Sequence, residues 1–201
     1  MRLAFVTGNA HKAREAQAAL KPLGIDVAQR AIPHPEIQAD TLEEVARERA
    51  RFLQGHLDEP FIVDDAGLFV DALNGFPGVY SAYVNKTLGW QGVLKLLEGQ
   101  PNRAARFEAV IAYMEPSLAS PFLHKGVCAG RIVEAARGAQ GFGFDPIFAA
   151  EDHDRTFAEL TIDEKTNLSH RGRALAALAR WLEGNRPSGF RATQPGGAHK
   201  L

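Results

Sequence analysis

The start of the chain constrains the fold class most strongly. Arg2–Val6 is an apolar run with the composition of a buried strand, and the turn-forming segment Thr7–Asn9 ends it. An alanine-rich segment with helical periodicity, Ala10–Leu20, follows directly. A strand that passes through a tight turn into a helix typically opens an α/β domain, so we expect an α/β fold.

Later segments continue this alternation. A proline-marked loop, Ile32–Pro35, and a turn-rich segment, Leu73–Gly78, separate them. The predicted helices are Thr41–Gly55, Gly92–Leu97 and an amphipathic one at Leu168–Leu182. The predicted strands are Ile25–Ala28, Phe61–Val63 and a long pair, Phe107–Met114 and Leu123–Val133, that extends the sheet.

Length and composition indicate one domain. A chain of 201 residues with 45% hydrophobic content can bury one substantial core, and we place this domain at residues 1–184. Residues 185–201 are rich in Gly, Pro, Ser, Thr and Arg without periodicity, so we expect a disordered tail there.

The charge balance and the cysteine content exclude several classes of function. With 23 basic and 24 acidic residues, the net charge of -1 gives no overall field for nucleic acid, although a local cluster of cations can still hold a small anion. Cys128 has no disulfide partner, and no pair of Cys or His residues has zinc-ligand spacing. Without a signal peptide or a run of about 18 apolar residues, we expect a cytoplasmic protein that does not contact membranes.

The turn after the first strand is a candidate anion site. In Thr7–Lys12, backbone N–H groups at a helix N-terminus and a lysine side chain can bind phosphate together. The segment lacks the second glycine and the Lys-Ser/Thr pair of a P-loop. Many α/β domains begin with a glycine turn for structural reasons alone, so this segment by itself leaves both interpretations open.

Acidic residues suggest a metal site. Asp64 and Asp65 follow an apolar strand, where they either point to opposite sides into solvent or bind a hard cation such as Mg²⁺. Thr41 and Glu44 have capping-box spacing, but Asp40 with Glu43 would cap the helix equally well and leave Glu44 free as a metal ligand.

One cation lies where a helix should be apolar. Arg49 falls within the apolar stripe of the helix predicted at Thr41–Gly55. Its side chain either extends to the surface or points into a charged cleft at the edge of the core.

Two further segments carry residues suited to ligand binding. In Gly141–Pro146, aromatic rings between glycines either stack on a flat base or pack inward, and Asp145, which Pro146 biases towards an extended conformation, can accept a hydrogen bond from a ring N–H. Ser169 reads as an N-cap that places His170 and Arg171 in the first helical turn, where an anionic ligand would offset their unfavourable charge.

Six segments in this order resemble the inosine triphosphate pyrophosphatase family, also called Ham1-like proteins, and especially its archaeal branch. They are Thr7–Glu15, Thr41–Ala46, Val63–Leu68, Ala72–Ser81, Gly141–Phe148 and Ser169–Gly172. Each motif is weak alone, but six in register are highly specific. The resemblance implies an elongated, two-lobed mixed sheet flanked by helices, a nucleotide cleft between the lobes, and a homodimer.

The resemblance also implies roles for individual residues. Asp65 would accept a proton from water, and Glu44 with Asp65 would hold Mg²⁺, while Arg49 and Asp64 remain phosphate-binding or structural candidates. The substrate-binding set would be Thr7, Gly8, Asn9, Ala10, His11, Lys12, Ala66, Phe142, Gly143, Phe144, Asp145, Lys165, His170 and Arg171.

The chain departs from the family pattern at three positions. Ala66 replaces a common serine, which should weaken substrate binding by about 1 kcal/mol through the loss of one hydroxyl contact. Arg49 replaces a lysine that is common in bacterial members and keeps its charge, and Tyr83 stands where many members carry arginine.

The activity implied by the resemblance is hydrolysis of inosine, deoxyinosine and xanthosine triphosphates to the monophosphate and pyrophosphate. Lys12, Lys165, Arg171 and Mg²⁺ would neutralise the phosphates, and Asp65, with an ordinary low pKa, would be a weak base. Two alternatives stay open. One is a regulatory module that binds nucleotide without cleaving it, with Ala66 as a sign of decay, and the other is a pyrophosphatase for modified pyrimidine nucleotides.

Overall fold

The computed structural model describes residues 2–185, and the predicted tail lies outside this range apart from Asn185. The helices are α1 (Ala10–Leu20), α2 (Leu42–Gln54), α3 (Ser81–Thr87), α4 (Gly89–Leu96), α5 (Ile162–Leu168) and α6 (His170–Gly184). The strands are β1 (Arg2–Val6), β2 (Asp26–Arg30), β3 (Phe61–Val70), β4 (Ala104–Met114), β5 (Phe122–Ile132) and β6 (Phe148–Ala150). No helix in this range is long and apolar enough to cross a membrane.

The strands form one mixed sheet in the order β2-β1-β3-β4-β5-β6. β1 runs parallel to β2 and β3, whereas β3, β4, β5 and β6 pair with their neighbours in antiparallel fashion. The expectation of an α/β fold with a mixed sheet is therefore confirmed.

Helices cover both faces of the first half of the sheet. Successive side chains of a strand point to opposite faces, and β1 is buried on both. Leu3 and Phe5 pack with α1 and α6, whereas Ala4 and Val6 pack with α2. Because both faces are covered, the strand reads as a continuous apolar run.

A third core forms the second lobe. The C-terminal end of β3, the N-terminal end of β4 and the C-terminal end of β5 pack with α4, β6 and Phe157. This core surrounds Leu68, Val93 and Phe107. Close backbone contact joins β3 to the turn before α3, since a Cβ atom at Gly67 would collide with the carbonyl oxygen of Gly78. The long strands thus connect the two lobes, and the groove between the lobes passes over the middle of β3.

The structure corrects several element boundaries. β3 continues to Val70, so Asp64 and Asp65 lie in the middle of a strand and not at its end. The charges interrupt the apolar pattern, but ten consecutive residue pairs with β4 continue through them. The helix α3 was not predicted because its short sequence has no clear periodicity, and it is held by the burial of Val84. β2 is shifted to Asp26–Arg30. Leu168, the predicted start of the last helix, instead ends α5, and the last helix begins at His170.

Candidate functional site

The groove between the lobes contains two adjoining cavities that share Asn9, Lys12, Ala66 and Ala82. We call the one of about 200 Å³ the aromatic cavity and the one of about 290 Å³ the acidic cavity. The aromatic cavity is also lined by Gly67, Ser81, Asn85, Phe107, Phe142, Gly143, Phe144, Asp145, Lys165, His170 and Arg171. The acidic cavity is also lined by Val6, Thr7, Gly8, His34, Glu36, Ile37, Leu42, Val45, Arg49, Asp64, Asp65 and Val79.

The turn between β1 and α1 lies at the junction of the two cavities. Asn9 caps α1, and its side-chain oxygen accepts hydrogen bonds from the backbone N–H groups of His11 and Lys12. These two donors are therefore already satisfied, and the lysine side chain is the main positive group of the turn. Ala10 and His11 line neither cavity, although the His11 ring lies 5.5 Å from that of Phe142.

Asp64 points to the α1/α6 face of the sheet. Its Oδ2 is 2.9 Å from Lys12 Nζ and 2.9 Å from Arg171 Nε. Burial acts to raise the pKa of Asp64, but the charges of Arg171 and Lys12 outweigh it, so the pKa lies well below its usual range. Asp64 is thus a charged member of an internal network at neutral pH.

Asp65 points to the opposite face, towards α2. Arg49 Nη1 lies 2.8 Å from Asp65 Oδ1, so this arginine points into the cleft and does not extend to the surface. Asp65 Oδ2 is buried without a hydrogen-bond partner. Burial, aided by the nearby Asp64 charge, raises the pKa of Asp65 against the opposing effect of Arg49 and Lys12, which corrects the expectation of an ordinary low value.

Buried ion pairs connect Asp64 to the far end of the aromatic cavity. Arg171 Nη1 lies 2.6 Å from Glu15 Oε2, and Lys165 Nζ lies 3.0 Å from Glu15 Oε1 and 2.7 Å from Asp145 Oδ2. The charge of Arg171 at the N-terminus of α6 is therefore offset by internal carboxylates, whereas the sequence had suggested an anionic ligand.

Glu15 was assigned no role from the sequence. It is buried at 5% exposure between two cations. The available signal was its position three residues after Lys12, which places it on the same face of α1 among alanines.

His170 lies beneath the aromatic cavity as a neutral ring. Its ring stacks on Phe107 at 4.6 Å, and its Nδ1 is buried without a partner. Burial first, and then the charge of Arg171, lower the pKa of His170 well below its usual value. It therefore contributes a polar ring edge and no charge.

The loop at Phe142–Asp145 forms the outer wall of the aromatic cavity. Asp145 Oδ2 accepts a hydrogen bond from the Phe142 N–H at 2.8 Å and another from Lys165. Burial raises the pKa of Asp145 more than Lys165 lowers it. Asp145 begins a 3₁₀ turn, Asp145–Ile147, and is not extended as its position before Pro146 had suggested. The Lys165 ammonium lies 4.8 Å from the centre of the Phe142 ring.

Glu44 caps the start of α2 in the structure. Thr41 and Glu44 form the capping box of α2, and Glu44 Oε2 accepts hydrogen bonds from the backbone N–H and the hydroxyl of Thr41. The alternative cap by Asp40 and Glu43 is not formed. Glu44 lines neither cavity of the groove, because capping holds its carboxylate at the helix start.

Glu36, unlike Glu44, lines the acidic cavity. It is exposed and has no ion-pair or hydrogen-bond partner within residues 2–185. Glu36 was not predicted, since it lies in a loop without periodicity. Across residues 2–185, no three Asp, Glu, His or Cys side chains are close enough to hold a metal ion without further ligands.

Comparison with known proteins identifies the family. Residues 3–181 match the sequence model of the Ham1 family. The chain belongs to the Ham1 family. This confirms the resemblance seen in the six motifs, which span the same part of the chain.

Similar Ham1 proteins include archaeal and bacterial members. A relative from Thermococcus kodakarensis, named dITP/XTP pyrophosphatase, is 56% identical over 92% of this chain and 99% of its own length. Another of that name, from Methanopyrus kandleri, is 49% identical over 92% and 98%. The solved structure of a HAM1 protein from Coxiella burnetii matches with a TM-score of 0.81 and 36% identity, covering 92% of this chain and 99% of that one.

Proposed function

We propose that this Ham1 protein hydrolyses non-standard purine nucleoside triphosphates, namely ITP, dITP and XTP, to the nucleoside monophosphate and pyrophosphate. One observation carries the proposal. A single groove joins the Asp65 carboxylate and the Lys12 ammonium to a cavity with an aromatic wall and buried polar groups at its far end. The archaeal relatives named dITP/XTP pyrophosphatase support the same substrates.

The charges of the groove favour an added cation. Lys12, Arg49, Lys165 and Arg171 are each paired with a carboxylate of Glu15, Asp64, Asp65 or Asp145. These four cations therefore leave little net positive charge for a triphosphate, which carries about four negative charges. A divalent metal ion would supply the missing charge.

We propose that the ion is Mg²⁺, held by Asp65 and Glu36. Hard cations bind carboxylate oxygens. Within residues 2–185, Asp65 Oδ2 is buried without a partner, and the carboxylate of Glu36, which has no partner either, lines the same cavity. Because Mg²⁺ commonly keeps several waters and binds substrate phosphates, two carboxylates suffice. When bound, it would neutralise charge that develops on the phosphate oxygens.

The residues of the acidic cavity then position the reaction. Lys12 would bind a phosphate oxygen at the junction of the cavities, and Asp65 would orient a water molecule towards the α-phosphorus. The Asp65 carboxylate, buried in this cavity, would take the proton of that water. The bond to the bridging oxygen would break, and pyrophosphate would leave.

The aromatic cavity provides groups for base selection. Lys165 uses two of its three N–H donors in ion pairs, which leaves one for the 6-oxo group of hypoxanthine or xanthine. Adenine presents a donor at this position and would leave the third N–H of Lys165 without an acceptor. Mismatches of this kind cost up to about 10⁴-fold in specificity.

A product assay tests the proposal. The protein is incubated with Mg²⁺ and ITP, XTP, ATP or a modified pyrimidine triphosphate, and the nucleotides and pyrophosphate are quantified. IMP with equimolar pyrophosphate from ITP supports the proposal. Unchanged ITP would instead favour a binding module, and turnover of the pyrimidine nucleotide alone would favour the pyrimidine pyrophosphatase.

We also propose that the protein acts as a cytoplasmic homodimer. Four large hydrophobic side chains of one continuous segment, Phe76, Tyr80, Tyr83 and Leu88, are exposed, Tyr83 at 69%. Exposed apolar groups that lie close together are typical of protein interfaces. Light scattering should give the dimer mass for the wild type and the monomer mass for Tyr83→Glu.

A further inference from the structure

The nucleotide's sugar must lie between the two cavities. In the proposed function, which this inference extends, the base occupies the aromatic cavity and the phosphates occupy the acidic cavity. The sugar links these parts covalently, so it lies at the shared residues Asn9, Lys12, Ala66 and Ala82.

The polar side chains at the sugar's expected position are nearly all engaged. Asn9 Oδ1 accepts from two backbone N–H groups, so Asn9 offers a sugar only its Nδ2 donors, and Lys12, which is paired with Asp64, is assigned to a phosphate oxygen. The Ser81 hydroxyl donates to the carbonyl oxygen of Gly78 and accepts from the N–H of Leu68. A sugar hydroxyl therefore finds few free partners among these groups.

Asn85, in contrast, has both its side-chain oxygen and its nitrogen free of partners in the described part of the chain. It lines the aromatic cavity from α3, is exposed, and makes no hydrogen bond within residues 2–185. It follows Ala82 by three residues, so both lie on the same face of the helix. Its carboxamide both donates and accepts hydrogen bonds, as a hydroxyl does.

We infer that the carboxamide of Asn85 hydrogen-bonds a sugar hydroxyl of the bound nucleotide and thereby contributes to substrate specificity. The buried groups at the far end of the cavity meet the base edge, whereas Asn85 lies on the exposed side, next to the junction. Its role is recognition and not chemistry.

The inference is tested by removing the Asn85 carboxamide and the sugar hydroxyls, each alone and both together. Values of kcat/KM are measured for wild type and Asn85→Ala with ITP and with 2′,3′-dideoxyinosine triphosphate, which lacks both sugar hydroxyls. The loss of one neutral hydrogen bond should lower kcat/KM for ITP about threefold to tenfold. The same variant should process the dideoxy substrate as well as the wild type does, which also shows that it is folded.

Lys86→Ala is the matched control, since Lys86 is exposed on the same helix and lines neither cavity. It should leave both substrates unaffected. An equal loss with both substrates in Asn85→Ala, or no loss with ITP, would overturn the inference while the wild type still releases IMP. Failure of the wild type to release IMP from ITP would overturn the proposed function and this inference with it.

Discussion

Asp64 and Asp65 are neighbours in one strand, and each keeps one buried carboxylate oxygen without a partner within residues 2–185, yet they differ in the cations that they contact. On the α1/α6 face, the Asp64 carboxylate contacts two cations, which lower its pKa. On the α2 face, the Asp65 carboxylate contacts one cation and has a raised pKa. This difference fits the proposed roles, in which the α1/α6 face is a rigid scaffold and the α2 face carries the reactive group.

The largest expected effect is on catalysis at the α2 face. Asp65→Asn should lower kcat for ITP by about 10²- to 10⁴-fold, because the proton acceptor is lost while the shape of the side chain is kept. Any loss in the free energy of unfolding should be smaller than the rise in activation free energy that this change in kcat represents. Steady-state kinetics and urea unfolding check both parts, and full activity in this variant would remove Asp65 from the mechanism.

The second effect is on stability at the α1/α6 face. Asp64→Asn leaves Arg171 and Lys12 with an uncharged partner in a buried site, and the breaking of such pairs costs about 3 kcal/mol. Urea unfolding should show this loss, with reduced activity as a secondary consequence. A stable variant with intact activity would contradict the scaffold role of Asp64.

The third effect distinguishes two glutamates near α2. Glu36→Gln should raise the Mg²⁺ concentration for half-maximal activity by about tenfold. Even the loss of a residue that contacts only a metal's ligands lowers metal affinity by about that factor. Glu44→Gln should leave the Mg²⁺ dependence unchanged and weaken only the capping box of α2, by about 1 kcal/mol or less. Magnesium titrations of both variants check this, and the reverse result would restore Glu44 as the ligand.

The smallest effect concerns the pH dependence of the free energy of unfolding without Mg²⁺. The contributions of Asp64 and Asp65 to this dependence should have opposite signs. The folded-state pKa of Asp64 is lowered, so its stabilisation is present above its unfolded pKa and is lost as the pH falls through the folded value. The pKa of Asp65 is raised, so its ionised form destabilises the fold at neutral pH, and this cost fades as the pH falls.

Denaturant unfolding between pH 7.5 and pH 4 measures this difference in sign. The stability of Asp65→Asn relative to the wild type should decrease on acidification. The stability of Asp64→Asn relative to the wild type should change little until the pH falls below about 4, the ordinary aspartate pKa. A parallel pH dependence in both variants would show that the two carboxylates have equivalent surroundings.

Local signals in the sequence predicted much of the fold. The first strand and α1 lie as expected at Arg2–Val6 and Ala10–Leu20, because periodicity and turn residues are encoded locally. The middle of β3 was not predictable, since two charges inside a strand are tolerated only when cations from elsewhere in the chain meet them. Arg49 and Arg171 supply that charge from helices far apart in the sequence.

The same limit applies to the site. The motifs predicted Lys12, Asp65 and the Phe142–Asp145 loop, and the structure brings them to one groove. Residue spacing alone did not decide which glutamate lines the acidic cavity with Asp65. The local sequence is compatible both with Glu44 in a capping box and with Glu36 in a loop. The choice depends on how the loop before α2 folds over β3.

In the proposed reaction, water attacks the α-phosphorus in the acidic cavity. Turnover of ITP in H₂¹⁸O tests it most directly, with the position of the label determined by mass spectrometry. The label is predicted in the phosphate of IMP, with none in pyrophosphate. Label in pyrophosphate, or release of labelled inorganic phosphate with IDP, would contradict the account.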